Sequence, residues 1–220
     1  DFVGNTINDN GSASNGVGIN IELGSQSGAM TTTLTGNTIS GNGGIGASFT
    51  TNGDSGLDLT FGDSAADANM ITGNTDAGIS VQTKDTSTAA ITVVNSMVAS
   101  NVDGPDVGLD GDGLAVHSSG NSVITSMTVG DAGLQNTSFG GNAGNGIDIQ
   151  LTESSRNPNL LIQNVTANNN TGHGVGITRT GFAALSEHLN ANNVINAGED
   201  VNNDGMLGSA VITGITANGN

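Results

Sequence analysis

The sequence predicts an all-β fold, a parallel solenoid in which short strands pile coil upon coil. Three observations predict it. An asparagine word recurs along the chain, a period-two apolar word follows most of its copies, and Ile, Leu and Val are spread evenly through 220 residues holding 36 Gly and only two Pro. A glycine-rich chain with so little proline and so regular a supply of branched apolar residues reads as ordered.

The asparagine word is an apolar residue, any residue, usually a small one, then Asn. It ends at Asn10, Asn42, Asn74, Asn101, Asn142, Asn168 and Asn218, at steps of 32, 32, 27, 41, 26 and 50 residues. Variable steps are what loop insertions produce in a repeat protein. The second word gives strands at Ile19/Ile21, Ile79/Val81, Leu114/Val116, Ile147/Ile149 and Val175/Ile177. A third run precedes most asparagines, at 57–61, 90–94, 160–162 and 210–212. Three short strands per repeat cannot bury their own apolar face, but stacked copies can, about 4.8 Å apart. The count predicts six to seven coils, one unit over 1–220, with loop insertions at 103–113 and 180–208. Because the pattern runs to both ends, a longer parent chain is expected. The repeated asparagines are assigned to turns, where the amide bonds backbone, tolerates left-handed φ and stacks on its equivalent one coil away.

These words resemble those of right-handed, single-stranded parallel β-helix proteins, the pectate-lyase-like superfamily that also includes polygalacturonases, tailspikes and bacterial surface proteins. The resemblance implies a right-handed β-helix. It leaves function open, because the fold hosts lyases, hydrolases and adhesive stalks alike.

Twenty acidic residues against three basic ones give a formal charge of -17. Nucleic acid and anionic membrane surfaces are repelled by such a chain, and cations are attracted. No apolar run is long enough to span a membrane. Trp, Tyr and Cys are absent, so aromatic sugar platforms reduce to five Phe, and there is neither disulfide framework nor thiolate metal site.

The clearest chemical motif is at Glu199–Leu207. Asp200, Asn202 and Asp204 alternate as oxygen donors ahead of Gly205, a spacing that curls hard ligands around one calcium ion. The loop is similar to those of EF-hands and dockerins, with Val211 where an EF-hand places its last carboxylate, so Glu199, a carbonyl or water must complete the set. A weaker candidate is the insert 103–113, where Asp106, Asp110 and Asp112 could gather a cation.

An enzyme reading rests on the residue just before the glycine of the second word. It is Asp112, Asn145 and His173 in successive coils, forming one vertical stripe, and the Gly-His-Gly at His173 is similar to a polygalacturonase word. Lyase chemistry also needs an Arg or Lys to take the proton, for which the chain offers only Lys84, Arg156 and Arg179, the last of these joining the stripe in the enzyme reading. Paired carboxylates are not expected, because Asp148 has Ala115 and Gly176 as row neighbours, and Arg179 does not supply the basic pair of polygalacturonases. Regular threonine rows of the ice-binding kind are not expected either, since Thr31 to Thr33 and Thr178 to Thr180 do not repeat on one face.

The resulting expectation is a secreted or cell-surface, calcium-supported structural or adhesive module without catalysis, with an extracellular glycan or a surface protein as partner. Its competitor is a polysaccharide lyase or glycoside hydrolase built on Asp112, Asn145, His173 and Arg179.

Overall fold

A computed structural model describes residues 1–11, 16–63, 68–104, 111–133, 136–185, 209–213 and 215–220. These residues form an all-β parallel solenoid with no α-helix among them. Each coil contributes one strand to each of three parallel sheets. One coil runs through Gly56–Phe61, Asn69–Thr72 and Ile79–Thr83, and the next through Thr88–Val93, Ser96–Ala99 and Leu114–Ser118. The second and third sheets are each six strands high and the first has nine. The described residues therefore make about five turns. That is fewer than six to seven because the asparagines mark corners, and the outermost corners bound incomplete coils.

Alternation along each strand sends every second side chain inward, where like stacks on like. In the third sheet the inward rows are Ile19, Ala47, Ile79, Leu114, Ile147, Val175 and Ile21, Phe49, Val81, Val116, Ile149, Ile177. In the first sheet Leu34, Phe61, Val93, Val129 and Ile162 form such a row. Phe49 and Phe61 meet edge to face, centroids 5.8 Å apart, inside the main core. On the outer side of the first sheet the register aligns Thr33, Thr60, Thr92 and Thr128. This corrects the expectation of no threonine row: length varies at the corners, so the strands keep step. The adjoining row, Thr31, Asp58, Ala90 and Ser126, is mixed.

The asparagines run up one corner as a continuous ladder. Asn42 receives the backbone N–H and side-chain Nδ2 of Asn10 on its Oδ1, at 3.2 and 2.8 Å, and donates in turn to Asn74. The pattern continues through Asn101 and Asn142 to Asn170, whose backbone N–H reaches Asn220. The members in the last two coils are thus Asn170 and Asn220, not Asn168 and Asn218. The word counted from Val165 stops at Asn168, ahead of the left-handed residue Asn169, whereas the ladder takes the residue that follows that turn. Left-handed φ falls on the residue before each ladder asparagine, at Asp9, Gly41, Gly73, Ser100, Gly141, Asn169 and Gly219, and not on the asparagine itself. A second ladder, Asn5 to Asn37 to Asn69, climbs the preceding corner.

Candidate functional site

The corner between the second and third sheets carries the predicted stripe. Its full course is Val17, Ile45, Ala77, Asp112, Asn145 and His173, each just before a glycine. The stripe folds over the outward row of the third sheet, which is Asn20, Ser48, Ser80, Ala115, Asp148 and Gly176. In the lower coils this covering is apolar, with Ile45, Ala77 and Ala115 forming a small second core against Val17. In the upper coils it is polar. The following glycines let the corner approach the next coil: a Cβ on Gly46 would lie 2.6 Å from the Gly78 carbonyl oxygen and 2.8 Å from Asn74 Nδ2.

Asp112, Asn145 and His173 are brought together as expected, and each contact is specific. Asp112 Oδ1 accepts the backbone N–H of Asn145 at 2.6 Å, and Asn145 Oδ1 accepts that of His173 at 2.7 Å. Each side chain thus satisfies the backbone donor one coil above it. Asp148, buried at 4% exposure, accepts Asn145 Nδ2 at 3.1 Å on one oxygen, and Gln150 Nε2 at 2.8 Å and His117 Nε2 at 3.1 Å on the other.

Two expectations change here. Asp148 is not isolated, because Asn145 links it to Asp112 through two hydrogen bonds; row neighbours alone do not count residues that fold over from the corner. Arg179 pairs with Leu151 in the inward-parity row of its strand, while the outward residues Gly176 and Thr178 line the cavity beside His173. Asp148, Gln150 and His117 belong to the cluster and were not singled out from the sequence as site residues. Their signal was the two outward rows taken together with the stripe that covers one of them.

The cavity beside the cluster has a volume of about 330 Å³ and is open to solvent. Asn145, Gln150, His173 and Thr178 supply its polar lining, with Asp148 and Ile177. Amides, a hydroxyl and an imidazole can hydrogen-bond a polyhydroxylated ligand. Among the described residues no group of three or more His, Asp or Glu is placed to hold a metal. Glu199, Asp200, Asn202 and Asp204 lie outside the described residues, as do Asp106 and Asp110; Asp112 is described and lies in the stripe. No helix among the described residues is long and apolar enough to cross a membrane.

No family model, no curated protein and no solved structure matches this chain.

Proposed function

We propose that this chain is a structural or adhesive module of the pectate-lyase-like β-helix kind, right-handed, secreted or displayed on a cell surface, supported by calcium and without catalysis of its own. One observation carries the reading: the carboxylates that could act as acid and base are already engaged by hydrogen-bond partners of the corner and the third sheet. Asp148 accepts three side-chain donors, and Asp112 accepts the Asn145 backbone N–H. General acid–base chemistry needs such groups within reach of a substrate proton. Here their oxygens are occupied by the protein's own donors.

The polar cavity supports a second reading, in which the module takes an extracellular glycan and cleaves it as a lyase or hydrolase with His173 at the centre. Assays for new reducing ends and for unsaturated products, run on a panel of neutral and acidic glycans, separate the two. We expect no turnover, with any glycan retained by binding only. Turnover that disappears in His173→Ala would overturn the structural reading.

Calcium enters through the donor spacing at Asp200, Asn202 and Asp204, with Glu199 as a further ligand. An ion that binds only the folded chain raises its melting temperature by mass action. The expected result is a higher melting temperature in millimolar calcium than in chelator at matched ionic strength, with the increment lost in an Asp200→Ala/Asp204→Ala double variant. An equal increment in the double variant would remove calcium from the account.

A further inference from the structure

We propose that Met70 and Met97 form a paired oxidation site on the outer face of the second sheet, where hydrogen peroxide converts both thioethers to sulfoxides while the solenoid stays folded.

The pair is set by register. Met70 lies directly opposite Met97 in the adjacent strands Asn69–Thr72 and Ser96–Ala99, so their backbones are one coil apart, about 4.8 Å. Each methionine is flanked in sequence by inward residues of at most 1% exposure, Asn69 and Ile71 in one strand, Ser96 and Val98 in the other. Alternation therefore turns both methionines outward. They are 41% and 40% exposed, and they stand in the middle of the stack, with two further strands of the sheet on either side. Met127 is the opposite case. It has no exposure and lies in the inward row of the first sheet between Ile91 and Leu160. Met30 is half-buried and Met206 lies outside the described residues, so Met127 is the internal reference.

The chemistry follows from that contrast. The thioether lone pair attacks one peroxide oxygen, forming an S–O bond as the O–O bond breaks. Sulfur is oxidised by two electrons, and the transferred hydroxyl gives its proton to the departing hydroxide, which leaves as water. Hydrogen peroxide is uncharged, so the charge of -17 does not repel it. A sulfoxide is polar, and inside a core it disrupts packing. On the outer face water meets its oxygen. The row also suits it, because Met70 and Met97 lie between Thr38 and Ser138, and the neighbouring outward row carries Ser40 and Thr72. Hydroxyls one coil away can donate to a sulfoxide oxygen. The pair thus takes up oxidant where the fold is least disturbed, ahead of Met127.

A time course of hydrogen peroxide on the full 220-residue chain, read by peptide mapping in a mass spectrometer, tests the site. We expect Met70 and Met97 each to gain one oxygen at least about tenfold faster than Met127, whose sulfur is reached only by opening of its coil. At the stage where only the outer pair is oxidised, the melting temperature by circular dichroism should move by about 2 °C or less, as for a surface substitution. Methionine sulfoxide reductases, one for each epimer, should return both residues to thioethers on the folded chain. Met127→Leu, a nearly volume-conserving change, removes the core sulfur and should leave the uptake of two oxygens and the melt as they are. The proposal is overturned if Met70 and Met97 react no faster than Met127, or if only one of the two reacts. It is also overturned if oxidation of the outer pair unfolds both the wild type and Met127→Leu, or if the reductases leave either sulfoxide in place.

Discussion

Asn74 sits inside the ladder with no exposure, and all of its polar capacity is in use. Its Oδ1 accepts two donors from Asn42, and its Nδ2 reaches Asn101 Oδ1 at 3.1 Å and the Ile39 carbonyl at 3.3 Å. Replacing it with Ala removes these bonds and strands the buried donors of Asn42, so Asn74→Ala should cost about 3 kcal/mol in urea unfolding. Asn10→Ala, at the exposed end of the same ladder, should cost about 1 kcal/mol, because water reaches the groups it leaves. Equal losses would mean that the ladder is not a coupled network. Ser100 offers the opposite sign. It holds φ 56° at the corner position that four other coils fill with glycine, and left-handed φ is unfavourable for any residue with a Cβ. Ser100→Gly should therefore raise stability by about 0.5–1 kcal/mol, after the added freedom of the unfolded chain is discounted. A melting temperature at or below that of wild type would show that the Ser100 side chain contributes more than its backbone strain removes.

At the scale of the element, each corner is a close approach of backbone to backbone, and Gly46 shows what that demands. A methyl at this position would meet the Gly78 carbonyl oxygen, Asn74 Nδ2 and Ile71 Cγ2 within 3.0 Å. Neither the backbone nor the ladder can move aside without breaking its own bonds. Gly46→Ala should thus lose about 2 kcal/mol or more, while Gly73→Ala, where a Cβ meets nothing within 4 Å, should lose only the left-handed backbone term of about 1 kcal/mol. Denaturant midpoints of the two variants decide whether close approach or φ governs the corners. The elements themselves were legible in the sequence. Period-two runs such as Ile147/Ile149 located the strands, and the outward rows of the third sheet read from sequence match the register. The word could not tell Asn168 from Asn170, since three asparagines run consecutively there and the left-handed turn falls on the middle one. The second ladder was equally visible, five residues ahead of Asn10, Asn42 and Asn74, but short words ending in the later asparagine hid it. What strand patterning does not carry is the burial of Asp148. That follows from a corner residue, Asn145, folding over the sheet, which is a relation between segments of different conformation.

For the molecule as a whole, stacking makes stability nearly one-dimensional. Each coil is held by the coil above and the coil below, so an end coil has half the support of a central one. The burial gradient has the same form: Ile39, Ile71 and Val98 in the second sheet have no exposure, whereas Ile7 in the first coil is partly exposed. Local opening should then proceed from the ends inward, with free energies rising toward the middle. Amide hydrogen exchange reads this directly. In dilute protein, the amides of Ile71 and Val81 should be protected by factors approaching the global unfolding free energy. Those of Ile7 and Ile21 should exchange far faster, although they occupy equivalent positions in their strands. Uniform protection along the solenoid would instead mean that the coils unfold as one unit, and that coupling along the ladders outweighs the loss of a neighbour at each end. The two outcomes predict different responses to Asn74→Ala. A one-dimensional stack splits at the weakened rung, and the coils on either side lose protection most. A single cooperative unit loses the same free energy at every amide.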